Sequence, residues 1–164
     1  MSEETAYQIT SILEGVIKRG TARGLKDLNL DLAGKTGTTN ENTDAWFIGF
    51  TPHLVAGVWV GMDDPSLRLW PRQAGSAAAL PLWAQFMKEV YDKVEPYKSM
   101  TQEEFDYPEA LIERLTICTD SHKLATRFCP NQSEDIFIKN EAVPIYCPLH
   151  GGNQSTTPSR LQRF

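Results

Sequence analysis

Two apolar runs set side by side constrain this chain more than any other feature. Asp44-Ala45-Trp46-Phe47-Ile48-Gly49-Phe50 and Leu54-Val55-Ala56-Gly57-Val58-Trp59-Val60-Gly61 are rich in β-branched and aromatic residues, and only Thr51-Pro52-His53 separates them. This pattern predicts an antiparallel hairpin. Both runs are apolar at nearly every position, which predicts strands covered on both faces by helices.

Two helices are expected around the hairpin. The first spans about 3–19. Ser2 can cap it, Glu3 and Glu4 favour its positive end, and Lys18, Arg19 and Gly20 mark its stop. Ile9, Leu13, Val16 and Ile17, with Ile12, form its apolar stripe. The second runs from about 76 to 94, with Leu80, Trp83, Met87, Val90 and Val94 as its stripe and Phe86 alongside. Pro81 belongs in its first turn, and Pro96 ends it. Between the first helix and the hairpin, Leu28, Leu30 and Leu32 alternate with polar residues, as a half-buried extended segment would.

Hydrophobic residues make up 41% of the 164 and charged residues 23%, which places the chain among globular proteins. A net charge of -5 and the lack of a basic stripe argue against a nucleic-acid partner. The apolar stretch Ala77 to Met87 is interrupted by Pro81 and Gln85 and falls short of the roughly 20 residues that span a bilayer. The acidic start does not resemble a signal peptide, so work outside the cytoplasm would need an export signal on further sequence. Residues 97–113 are acidic and polar, 115–150 hold short strands and three cysteines, and 151–164 read as a loose tail. A module boundary is expected near residue 96.

Lys35-Thr36-Gly37 stands at the start of a strand and is followed by the hydroxyls of Thr38 and Thr39. A strand edge facing a cleft offers N–H and C=O groups to an extended peptide. A cation there can hold a carboxylate, and a glycine lets another backbone come close. The N–H of Thr38 can then point to where an oxyanion forms. A surface lysine before an ordinary strand would show the same three residues.

The wider context is more specific. Ala33 to Asn40, then Asp44 to Pro52, then Gly57 to Gly61 resemble, block by block, the C-terminal part of the transpeptidase domain of class A penicillin-binding proteins. Gly15 to Ala22 is similar to the helix before these blocks, and Gly75 to Trp83 to the helix after them. The resemblance implies an α+β fold: part of a serine transpeptidase/β-lactamase-like domain, with an antiparallel sheet covered by helices, over 1–96. Residues 97–164 would form a Cys-containing C-terminal extension.

It also implies a reaction. A serine attacks the penultimate D-alanyl carbonyl of a peptidoglycan stem peptide, D-alanine leaves, and a neighbouring amine takes the acyl group. β-Lactam antibiotics imitate the D-alanyl end. Lys35, Thr36, Gly37, Thr38 and Thr39 would bind substrate, and Thr38 would act in catalysis through its N–H. No cofactor is implied. The family's three motifs are Ser-x-x-Lys, Ser-x-Asn and Lys-Thr-Gly. Here no serine has Lys three residues later or Asn two residues later. The nucleophile would therefore lie upstream, and the chain alone would be inert. Its expected partners are stem peptide, β-lactams and the remainder of its own domain, or an intertwined oligomer burying the surface left open. Its expected place is the extracytoplasmic face of a bacterial membrane, anchored by an upstream segment. A D,D-carboxypeptidase or β-lactamase fragment, or a non-catalytic cell-wall peptide-binding module, are the rival readings.

Cys118, Cys129, Cys147 and His150 admit a Cys3His zinc site, since Cys147 and His150 have C-x2-H spacing. The upstream pair is spaced too widely for a typical finger. The extracytoplasmic setting implied by the resemblance favours a Cys129–Cys147 disulfide instead, with Cys118 free or buried and no metal; three reduced thiols are the other alternative. Asp44 reads as a turn cap, with a role in orienting the loop after Lys35 as the alternative. Trp46, Phe47, Phe50 and Trp59 read as sheet core rather than cleft lining, His53 and His122 as solvated surface, and Asp63-Asp64 as a turn.

Overall fold

The computed structural model describes residues 1–39, 41–64, 67–69, 74–139 and 145–150. The tail expected at 151–164 lies outside them. The chain forms two compact units, one of Ile9–Tyr107 and one of Met1–Gln8 with Pro108–Phe164. The division comes later than the boundary expected near residue 96. Tyr97 and Met100 pack on the core of the first unit, the Phe105 ring meets Phe50 edge-on at 5.5 Å, and the Phe105 N–H donates to Asp31 Oδ2.

The first unit is built on a three-stranded antiparallel sheet in the order β1 (Ala33–Thr38), β2 (Asp44–Phe50), β3 (Val55–Gly61). The predicted hairpin is β2–β3. Its turn is held by Thr51, whose hydroxyl oxygen accepts the N–H groups of His53 and Leu54 and shares a 2.6 Å hydrogen bond with the Tyr91 hydroxyl. His53 is not free surface, because its Nε2 meets Glu103 Oε2 at 2.5 Å.

The helix α1 spans Glu3–Lys18, and α2 spans Ala79–Lys93. Pro81 sits in the first turn of α2, where its missing N–H breaks no helical bond. Leu80, Trp83, Met87 and Tyr91 recur at helical spacing and are buried. They face the sheet surface that carries Phe47, Ala56, Val58 and Val60. Gly34 and Gly49 are directly opposed across β1 and β2. A side chain on Gly34 would run into the Phe47 ring at 2.8 Å, and one on Gly49 into Trp83 at 2.8 Å. The two glycines thus form a floor for both rings, which stack edge-to-face at 5.0 Å. The indole N–H of Trp83 donates to Ala56 O at 2.9 Å.

Among the described residues α2 covers one face of the sheet, and the other face is left largely open apart from the Phe105 contact at Phe50, contrary to the expectation of two covered faces. Trp46, Ile48, Val55 and Trp59 share the other face and are 43% to 69% exposed. Of the four aromatics expected in the core, only Phe47 is fully buried there. The stripe of α1 is likewise buried only at its end: Ile17 is buried, while Ile12 is 70% exposed. The extended segment expected through Leu28–Leu32 begins instead as a 3-10 turn, Arg23–Leu28, closed by Asn29 in the left-handed region at φ 53. Leu28, Leu30 and Leu32 still reach the core.

The second unit holds β4 (Ile112–Cys118), β5 (Lys123–Leu124) and β6 (Gln132–Ile138), antiparallel in the order β5-β4-β6. No helix among the described residues is long and apolar enough to cross a membrane.

Replacing Trp83 by Ala should cost about 3–5 kcal/mol, because it empties a fully buried ring site. Ile48→Ser, on the open face, should change stability by no more than about 0.5 kcal/mol. Urea unfolding of the chain measures both.

Candidate functional site

The Lys-Thr-Gly segment lies in β1, which pairs with β2 on one side and, among the described residues, with no strand on the other. The pairing fixes where each backbone group points. The Thr39 N–H donates to Asp44 O at 3.2 Å, so positions 39, 37 and 35 turn their amides toward β2. Thr36 and Thr38 therefore turn their N–H and C=O groups to the unpaired edge. The Lys35 ammonium lies at that edge, donating to Thr36 O at 2.9 Å, and the side chain is exposed.

The side chains divide between the two faces. Lys35 and Gly37 share the open face with Ile48 and Trp46, their register partners. A Cβ on Gly37 would lie 3.2 Å from Trp46 Cβ, so this glycine also has a packing reason. Thr36 and Thr38 lie on the opposite face. Thr36 Oγ1 is 3.3 Å from Thr21 Oγ1, and Thr38 Oγ1 accepts the Gly75 N–H at 3.1 Å. That leaves the Thr38 O–H proton available to donate.

Gly75 is a residue the motif reading passed over. A Cβ there would come within 2.4 Å of Trp46 O and 2.6 Å of Gly37 O. Only a glycine lets the chain before α2 lie directly on the β1–β2 ladder and reach Thr38. Its sequence signal is a Gly immediately before a small-residue run, Ser76-Ala77-Ala78-Ala79.

Thr39 has a different position from its neighbours. Its hydroxyl oxygen accepts the N–H groups of Thr43 and Asp44, both at 3.0 Å, and its hydroxyl pairs with that of Thr43. It organises the turn into β2. Asp44 completes this knot by accepting the Trp59 indole N–H and the Thr43 hydroxyl, each at 2.8 Å. The Trp59 bond first, then Thr43 and Thr39, hold the Asp44 carboxyl below its ordinary value against the opposing effect of burial. A cavity of about 310 Å³ lies elsewhere, lined by Lys18, Lys26, Asp31 and Glu103 among others, and none of residues 35–39 borders it. What β1 presents is a strand edge that is unpaired among the described residues.

Residues 1–88, more than half of the chain, match the family model described as the penicillin binding protein transpeptidase domain. The chain belongs to that family. It is 51% identical over 90 residues to penicillin-binding protein 1A of Rickettsia bellii, covering 55% of this chain and 11% of that protein. It is also 51% identical over 84 residues to penicillin-binding protein 1A of Pseudomonas aeruginosa, covering 51% of this chain and 10% of that protein. The crystal structure of penicillin-binding protein 1A from Haemophilus influenzae superposes with a TM-score of 0.71 at 29% identity, over 85% of this chain and 21% of that one. The chain thus spans about a tenth of the length of the curated relatives it matches. It is part of a transpeptidase domain, and its mixed helix and antiparallel-sheet fold is that of penicillin-binding protein 1A.

Cys118, Cys129 and Cys147 are free thiols. They gather about His150, with their Sγ atoms and a His150 ring nitrogen all within 4.8 Å of one another. Burial acts against ionisation of Cys147, but the Ser121 hydroxyl, the N–H groups of His150 and Leu149 and the Cys118 thiol outweigh it and hold that thiol down to about 6. Burial pushes Cys129 up. The neighbouring Cys118 and Cys147 raise His150.

The Asp44 knot has a pH signature. A depressed carboxyl contributes stability that is present above the unfolded value near 3.8 and is lost as pH falls through the folded value. Asp44→Asn should lower the Tm at pH 7, and the gap from wild type should close as the pH drops below that range. Thermal scans from pH 7 to acid measure this.

Proposed function

We propose that this chain supplies the Lys-Thr-Gly wall of a peptidoglycan D,D-transpeptidase whose nucleophilic serine lies on other sequence. The observation that carries the reading is the direction of the β1 backbone. Thr36 and Thr38 offer their amide groups to an unpaired edge where the Lys35 ammonium also stands.

In this role an extended stem peptide lies along β1 and adds to the sheet edge. Lys35 and the hydroxyls of Thr36 and Thr38 hold its terminal carboxylate by charge-assisted hydrogen bonds. Gly37 admits the peptide backbone. The Thr38 N–H, with the N–H of the absent serine, stabilises the oxyanion of the tetrahedral intermediate. Gly75 keeps Thr38 in place, and Thr39 shapes the turn behind it. β-Lactams enter because they carry a carboxylate and a strained amide in the same relative positions. The reaction takes place on the extracytoplasmic side of a bacterial membrane, with anchoring supplied from upstream.

The chain is inert by itself in this account, because it brings no nucleophile. Its open face of Trp46, Ile48, Val55 and Trp59 supports a life beside the remainder of its domain. A second copy of the chain is the other body that could bury that face.

A fluorescent penicillin tests the reading. The 164-residue chain alone should take no covalent label, whereas a complete domain containing it should be acylated. Lys35→Ala in that domain should slow acylation about 10- to 100-fold, the worth of one charged hydrogen bond. Covalent labelling of the chain alone, or full-rate acylation of the Lys35→Ala domain, would overturn it.

A further inference from the structure

We propose that Cys118, Cys129, Cys147 and His150 bind one zinc ion as a closed Cys3His site that holds the β4–β6 unit together. The proposal is independent of the transpeptidase reading.

The geometry is that of a ligand set. The Sγ atoms of Cys118 and Cys147 each lie 3.4 Å from His150 Nδ1. Tetrahedral zinc with its usual bond lengths places a sulfur and a nitrogen ligand about 3.6 Å apart. All four donor atoms fall within 4.8 Å of one another, and the three cysteines are buried. A disulfide would use two of the sulfurs and strand the third beside an imidazole. Zinc uses all four donors and leaves no open position, which is the mark of a structural site. Three thiolates and one imidazole in a tetrahedron suit zinc better than calcium or magnesium, which take oxygen ligands.

The folding of the chain around the cluster supports this. Cys118 ends β4, and the turn after it brings the Cys129 segment alongside. Cys147 is fastened by its N–H to Leu124 O at 2.8 Å. Thr126 donates its N–H to Cys129 Sγ at 3.2 Å and its hydroxyl to His150 O at 2.7 Å, tying two ligand loops together. The outer ring nitrogen of His150 faces Asp120 Oδ2 at 3.7 Å, where a carboxylate can orient a ligating histidine. Ser121 Oγ is buried without a hydrogen-bond partner. Metal-bound thiolates would give it an acceptor.

The unit also needs such a staple. Among the described residues its buried side chains are the three cysteines, with Ala125 packed against them, and the aliphatic residues Ile112, Ile117 and Leu124. A core that small does not stabilise a three-stranded sheet unaided. On binding, three S–H bonds release their protons to solvent, and three Zn–S bonds and one Zn–N bond form.

The test uses the whole chain purified under reducing conditions. Mass spectrometry and elemental analysis should find one zinc per chain, retained after desalting. Cobalt should replace it with the intense d–d bands of tetrahedral thiolate coordination. Cysteine variants can fail to fold, so the decisive variants change the other ligand and its neighbour. His150→Cys should keep the metal, His150→Ala should lose it, and Asp120→Asn should bind about tenfold more weakly. A reduced, folded chain that takes up neither zinc nor cobalt would overturn the proposal. So would equal metal content in the His150→Ala and wild-type chains, or metal-free protein carrying a Cys129–Cys147 bond.

Discussion

The register between β1 and β2 is the constraint on which the rest of the first unit depends. Gly34 opposite Gly49 makes the shallow floor that admits the Phe47 and Trp83 rings. A slip of one residue would put side chains under those rings and move each face of the sheet to the other side. It would also exchange the inward and outward amides of β1. The burial of two aromatic rings on one face thus decides which backbone groups stand at the free edge.

Stability and site are coupled through that face. Trp83 and Tyr91 come from α2, and the residue just ahead of α2, Gly75, lies on the ladder at Gly37 and Trp46 and donates to Thr38. The helix that fills the core therefore also sets the far end of the Lys-Thr-Gly strand. Asp44, Thr43 and Thr39 fix the turn beyond it. The unpaired edge of β1 rests on the same contacts that fold the sheet.

Much of this was legible in the residues. The hairpin, the first-turn place of Pro81 and the strand position of Lys35 follow from local patterns whose causes are themselves local. What lay beyond reach depends on contacts between distant segments. Continuous apolar runs cannot say whether a face is covered by this chain or by something else, so Trp46 and Trp59 read as core although they stand on the open face. The 3-10 turn at Arg23–Leu28 ends on Leu28, the first residue of the alternating Leu28, Leu30 and Leu32, so the alternation alone does not mark where the turn stops. Gly75 carries no motif of its own. That all three cysteines gather about His150 depends on the turn after β4, which brings the Cys129 segment beside Cys118.

Residue-resolved amide hydrogen exchange along β1 tests the central claim most directly. The account predicts slow exchange at Lys35 and Gly37, whose N–H groups point into the β1–β2 ladder, and fast exchange at Thr36 and Thr38 on the open edge. Protected amides at Thr36 and Thr38 with unprotected ones at Lys35 and Gly37 would contradict it, and the Lys-Thr-Gly wall would then face the wrong way.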